Sequence, residues 1–180
     1  MKKIISLMTA FAIAFSLCVV NAEGIKFSGK SVNARCGETV DVIFTVSGNS
    51  GISKAELALV WDKSTLTLED AATGDVFAEG DLSEDKSVAG KYSVSWENDE
   101  NVNLDGELFT LTFRVADNAE IGSYFITIGV NKLENSTGEA MSYGLSLPNV
   151  SVIGAAIDEP TEAPTEAPTE VPTAEPTEAP

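Results

Sequence analysis

Thr39-Val40-Asp41-Val42-Ile43-Phe44-Thr45-Val46-Ser47 decides the fold class. Val40, Val42, Phe44 and Val46 recur at every second position, with Asp41, Thr45 and Ser47 interleaved. A period of two sends one set of side chains to one face of a β-strand. The same beat runs outward in both directions. Ile25 and Phe27 start a strand before it, and after it Leu57, Leu59 and Trp61 alternate with Glu56, Ala58 and Val60. Leu66 and Leu68 follow, then Tyr92, Val94 and Trp96, then residues 108–115, 124–130 and 145–152. The connections are rich in turn formers, as in Arg35-Cys36-Gly37 and Ser47-Gly48-Asn49-Ser50-Gly51. No window of helical length carries an apolar stripe with caps, so helix content is expected to be low.

Eight or nine strands over roughly 130 residues suit an all-β fold of two packed antiparallel sheets; the pattern leaves jelly-roll and immunoglobulin-like orders open. A domain of that size buries well over half of its unfolded surface, enough to be stable without a metal or a disulfide.

Charge narrows the function. The 180 residues hold 11 Lys+Arg against 28 Asp+Glu and no His, a formal charge of −17 at pH 7. A chain this acidic, without a basic block, is repelled by phosphate backbones and anionic lipid, so neither nucleic acid nor membrane insertion is expected. Without His the chain cannot supply Ser-His-Asp or Cys-His catalysis, or an HExxH zinc site. Among common enzyme designs only carboxylate chemistry stays open.

The ends read differently from the middle. Lys2 and Lys3 precede an apolar run over residues 4–20, and Val20-Asn21-Ala22 leads into Glu23. This is the pattern of a secretory signal peptide over 1–22, cut after Ala22, and the protein is expected to be extracellular. Cys18 follows Leu17, where a lipid-attachment signal has a small residue, so lipidation is not expected. Export leaves Cys36 as the single cysteine, with no internal disulfide. Residues 156–180 form a linker: Pro recurs at 160, 164, 168, 172, 176 and 180 in Pro-Thr-Glu-Ala repeats, with seven acids and no base. At about 3.1 Å per residue, such a polyproline-II-like chain spans on the order of 60 Å. A linker has something at both ends, so the reading frame is expected to continue beyond Pro180.

Four stretches in order resemble the cohesin family, the scaffoldin modules that hold dockerin-bearing enzymes in cellulosomes. Gly37-Glu38-Thr39-Val40-Asp41-Val42 is similar to the opening of the family's second strand. Gly51-Ile52-Ser53-Lys54-Ala55-Glu56-Leu57-Ala58-Leu59-Val60-Trp61-Asp62, with Leu66 after it, resembles the third strand and its aromatic-Asp-x-x-x-Leu exit. Thr73-Gly74-Asp75-Val76-Phe77 resembles the Pro-Gly-Asp-apolar turn after the fourth strand, with Thr for Pro. Asp105-Gly106-Glu107-Leu108-Phe109-Thr110-Leu111-Thr112-Phe113-Arg114-Val115, then Gly122, resembles the seventh strand and the turn into the eighth. The resemblance covers nearly all of residues 24–154 and implies an all-β, nine-stranded antiparallel β-sandwich with jelly-roll topology over 23–155. Gly37 and Gly106 are expected to permit tight strand entries, and Asp62 to cap a turn.

The resemblance also implies a function: a non-enzymatic module, of a divergent, ruminococcal-like type, that binds a dockerin tightly and reversibly. In the family the dockerin docks on one sheet, made of the eighth, third, sixth and fifth strands. Strand parity leaves Lys54, Glu56 and Ala58 outward on the third strand, and Ser93, Ser95 and Glu97 on the sixth, with Asn98 at the strand end. These seven are the candidate partner-binding residues. Glu56 lies where many cohesins place a contacting Asp, and Lys54 departs from an Asn often found two residues earlier, which implies a different specificity. No cofactor is expected on this chain, which would act as a monomer; calcium is expected on the dockerin, which resembles EF-hand loops and folds around the ion.

Other readings compete. Trp61 and Trp96 suggest a sugar-stacking platform and hence a carbohydrate-binding module, but they share the phase of neighbouring Leu, Val and Tyr, which points to core packing. Glu56 with Glu97 suggests a glycosidase pair, weak in a chain with 28 acids. Asp99-Glu100-Asn101-Val102-Asn103-Leu104-Asp105-Gly106 suggests calcium, but Leu104 and Thr110 stand where an EF-hand loop needs Gly and Glu. Asn135-Ser136-Thr137 fits an N-glycosylation sequon. An adhesin-like or surface-layer sandwich is a third class.

Overall fold

The alternation at Val42, Phe44 and Val46 becomes a strand whose inward side chains are fully buried, β3 (Thr39–Ser47). The computed structural model describes residues 24–154; the leader read over 1–22 and the linker read over 156–180 lie outside the described residues. The other strands are β1 (Ile25–Gly29), β2 (Val32–Ala34), β4 (Ile52–Val60), β5 (Leu66–Thr73), β6 (Asp81–Asp85), β7 (Lys91–Val102) and β8 (Gly106–Val115). They are followed by β9 (Gly122–Phe125), β10 (Thr127–Glu134), β11 (Tyr143–Ser146) and β12 (Asn149–Val152). One turn of 3-10 helix, Asp75–Phe77, is the single helical element among the described residues.

One sheet has the order β11-β1-β3-β8-β5 and the other β10-β4-β7-β6, while β2-β12-β9 form a small third sheet that contributes Val150 and Val152 to the core. The two large sheets bury their inward rows against each other. Phe109 of β8 meets the Tyr92 ring of β7 at 5.6 Å, and Phe113 of β8 meets Trp61, just past β4, at 4.9 Å. Phe77, on the 3-10 turn, stacks on Trp96 at 4.8 Å. Each such fully buried side chain contributes about 2 kcal/mol of transfer free energy, so this shared layer fixes which strand face looks outward.

The all-β sandwich is as expected, but over the described residues it is cut into twelve strands rather than nine, and two pairs are parallel: β1 with β11, and β2 with β12. The runs 124–130 and 145–152 each divide in two. At Ile126, buried between β9 and β10, the chain changes sheets, and its N–H bonds to the Pro148 carbonyl. Pro148 lacks an N–H and separates β11 from β12. β6 escapes the period-two reading because Leu82 is its one apolar residue. The expected turn chemistry is present: Gly37 and Gly106 have φ of 76° and 149°, in the region that favours glycine. Asp62 accepts bonds from the Ser64 N–H at 2.9 Å and from the Ser64 and Thr65 hydroxyls at 2.6 and 3.0 Å.

Candidate partner-binding face

Register across β10, β4, β7 and β6 sets outward side chains in rows. One row runs Glu134, Lys54, Glu97, Asp81; the next Lys132, Glu56, Ser95, Ser83; the third Gly129, Ala58, Ser93, Asp85. Inward residues on the same strands, among them Leu57, Leu59, Tyr92, Val94 and Trp96, are buried. Six of the seven expected residues therefore share one surface: Lys54, Glu56, Ala58, Ser93, Ser95 and Glu97. Its four strands are those the resemblance numbers eighth, third, sixth and fifth.

Asn98 is a correction. It does not end its strand, because β7 runs on to Val102, and it follows Trp96 in the inward phase. The pairing of β4 with β7 shifts between Lys54 opposite Glu97 and Ile52 opposite Val102. The inward phase takes Asn98 out of the rows and sets it beside Gly80. The sequence does not show that the strand runs on past Glu97; once it does, parity with Trp96 gives Asn98 the inward phase.

Electrostatics centre on Lys54 and Glu97, whose ammonium and carboxylate are in direct contact. The hydrogen bond to Glu97, with that carboxylate's charge adding to it, raises the Lys54 pKa. The same hydrogen bond and the ammonium's charge hold Glu97 below the ordinary carboxylate range. A carboxylate held ionised in this way is unsuited to the general-acid half of a glycosidase pair. Beside the pair, Lys132 and Glu134 are 3.3 Å apart.

Next to the pair lies a shallow depression of about 180 Å³, lined by Glu56, Ser83, Asp85, Ser93, Ser95 and Asn131. Ser83 and Asp85 come from β6 and Asn131 from an irregularity in the β10–β4 pairing, so none of the three was visible in the alternation. Small hydroxyls with carboxylates at the sides give acceptors and negative charge without bulk, which suits an inserted Lys or Arg side chain.

The aromatic alternative loses its platform. Trp61 and Trp96 are 7% and 1% exposed, and their indole N–H groups donate to the carbonyls of Leu66 at 2.9 Å and Glu79 at 2.7 Å. In the acidic 99–106 stretch, Asp105 accepts from the Gly48 and Asn49 N–H groups and Asn101 from the Ser136 N–H. These oxygens brace loops.

A profile of the cohesin domain matches residues 25–142. The chain belongs to the cohesin domain family. Among solved structures, it is similar to the seventh ScaB type I cohesin of Pseudobacteroides cellulosolvens, with TM-score 0.66 and 21% identity over 78% of this chain and 99% of that one. The OlpA cohesin–dockerin complex of Clostridium thermocellum gives TM-score 0.66 and 18% identity, covering 72% and 99%. A non-cellulosomal cohesin of the archaeon Archaeoglobus fulgidus gives 0.65 and 17%, covering 72% and 91%. At these identities the likeness is one of fold. No curated protein matches the chain. Among the described residues no helix is long and apolar enough to cross a membrane. Cohesins are non-enzymatic protein-interaction modules, and this cohesin presents its outward rows on a sheet rather than in a deep cleft.

Proposed function

We propose that this cohesin binds a dockerin on the outward face of β10-β4-β7-β6 and so couples a dockerin-bearing enzyme or scaffold to a larger assembly. The observation that carries the reading is the set of rows around Lys54 and Glu97, where exposed Glu56 and Ser95 and half-buried Ala58 and Ser93 form one low-relief surface on a cohesin sandwich. Several solved relatives are complexes with dockerins, including the OlpA complex. Glu56, Glu97, Asp81 and Asp85 favour a partner with Lys or Arg at its contact surface, since complementary charge speeds encounter and fixes register. The protein acts by binding and has no catalytic role of its own. It is exported under the leader read over residues 1–22, with residues 156–180 as the spacer to whatever it is joined to. Calcium belongs to the dockerin, and this chain takes none.

Titration of the exported chain against a panel of calcium-loaded dockerins tests this. Binding lost in chelator and regained with calcium is expected. Retention on glucans with no dockerin binding would overturn it in favour of a carbohydrate-binding module.

A further inference from the structure

The sandwich has a second recognition feature, remote from the dockerin face in charge and shape. Between the edge strand β5 and the loop leading into β7 lies a cleft of about 220 Å³. Lys63, Lys86 and Lys91 line it, around Leu68 and Val88, with Glu69 as its one acid. Three lysines line one opening in a chain of net charge −17. Neither Lys63 nor Lys91 forms an ion pair among the described residues, and Lys86 bonds to Glu84 at 3.3 Å. Val88 is 54% exposed. The cleft thus offers positive charge beside uncovered apolar surface, the complement of an acidic, Pro- and Ala-bearing peptide.

The chain carries such a peptide and releases it nearby. Gly154, the last described residue, accepts from the Cys36 N–H; the next N–H, of Gly37, donates to the Val115 carbonyl; and Val115 stands opposite Leu66, which lines the cleft. Three steps of about 4.8 Å put the exit roughly 15 Å from the cleft. The guanidinium of Arg35 sits beside Gly154. Arg114, which pairs with Asp117 at 3.0 Å, is in register with Thr67 of the cleft wall, so the intervening route carries charge of both signs and the unpaired lysines lie at its end. An extended chain covers about 3.1 Å per residue, so about five residues beyond Gly154 suffice to span that distance, and the carboxylates at sequence positions 159, 162 and 166 are the first with the reach to meet the lysines. Each Pro-Thr-Glu-Ala repeat supplies a carboxylate for an ammonium and a Pro and an Ala for the apolar floor. An attached ligand has an effective concentration of about millimolar, so weak contacts suffice.

We propose that the first repeats of the 155–180 segment dock in cis into the Lys63/Lys86/Lys91 cleft. Docking takes slack out of the spacer and fixes the direction in which it leaves the module, independently of what binds the dockerin face.

The test uses the exported chain at full length in a Cys36→Ala background, with a nitroxide on Ala163→Cys and amide resonances read by NMR. Selective loss of peak intensity is expected at Thr67, Leu68, Val88 and Gly90. It should be reversed by about 0.5 M salt, where the Debye length is only a few ångströms, and by Lys63→Glu with Lys91→Glu. Uniform or absent broadening, or broadening unchanged in the double variant, would overturn the proposal. Mixing labelled chain with unlabelled, isotope-enriched chain separates the sources: the same broadening there assigns the cleft to a neighbouring copy's tail and refutes docking in cis.

Discussion

Lys54 and Glu97 stand opposite each other on β4 and β7, ammonium against carboxylate, in the middle of the four-stranded sheet's outward face. Both side chains are substantially exposed, so the pair matters more to a partner's approach than to stability. Glu56→Lys with Glu97→Lys is therefore expected to abolish dockerin binding in calorimetry while the melting temperature stays nearly constant. The swap Lys54→Glu with Glu97→Lys keeps an internal pair but reverses its polarity, and it too should weaken binding. Unchanged affinity in both would place the interface on another face.

Ser93 and Ser95 keep the depression beside that pair open, because neither projects far above the strand. Ser93→Tyr fills it. Affinity for the dockerin should fall at least tenfold, about 1.4 kcal/mol, with little change in thermal unfolding, since the new ring points to solvent. If Ser93→Tyr binds as tightly as the parent, the depression is not part of the contact.

Asn49 holds the entry to β4. It is 8% exposed; its carbonyl oxygen accepts from the Gly51 and Ile52 N–H groups at 3.1 Å, and its amide donates to the Leu104 carbonyl at 3.0 Å. Asn49→Ala leaves three backbone groups without these partners and should cost about 2–3 kcal/mol in urea unfolding. A loss below about 0.5 kcal/mol would mean that water replaces the amide.

The parity of Leu57-Leu59-Trp61 and Tyr92-Val94-Trp96 was enough to place six of the seven candidate residues on one face, because a buried aromatic fixes the phase of its whole strand. What parity could not show is where phase changes. Asn98 falls out for a simpler reason, sharing the inward phase of Trp96 in a strand that runs on to Val102, whereas Asn131 and the split at Ile126 arise where the chain meets neighbours remote in sequence. β6 lay hidden for another reason: Asp81-Leu82-Ser83-Glu84-Asp85 has too little apolar content to look like a strand, and it becomes one only because β7 offers an unpaired edge. The lysine cleft is likewise invisible in sequence, since Lys63 lies far along the chain from Lys86 and Lys91 and the three meet only when β5 and β7 flank the same opening.

Stability should fall at both ends of the pH scale, for opposite reasons. Hydrogen bonds from the Ser64 hydroxyl, the Ser64 N–H and the Thr65 hydroxyl hold Asp62 below its ordinary value. Asp85 is lowered by Ser87, and Glu97 by its bond to Lys54. A carboxylate whose folded pKa is depressed contributes stability that is present above its unfolded pKa and is lost as pH falls through the folded value. Unfolding should therefore ease below the ordinary carboxylate range, and Asp62→Asn should shallow that slope. Tyr92 behaves inversely. Burial, with the adjacent Glu84 carboxylate, pushes its phenol well above the ordinary 10.0. The unfolded tyrosine then ionises first, so stability present below that value is lost as pH rises past it. Melting temperatures followed from about pH 2 to about pH 11 should trace both limbs, with Tyr92→Phe flattening the alkaline one alone. An alkaline limb that survives Tyr92→Phe unchanged would assign the loss to lysine deprotonation instead.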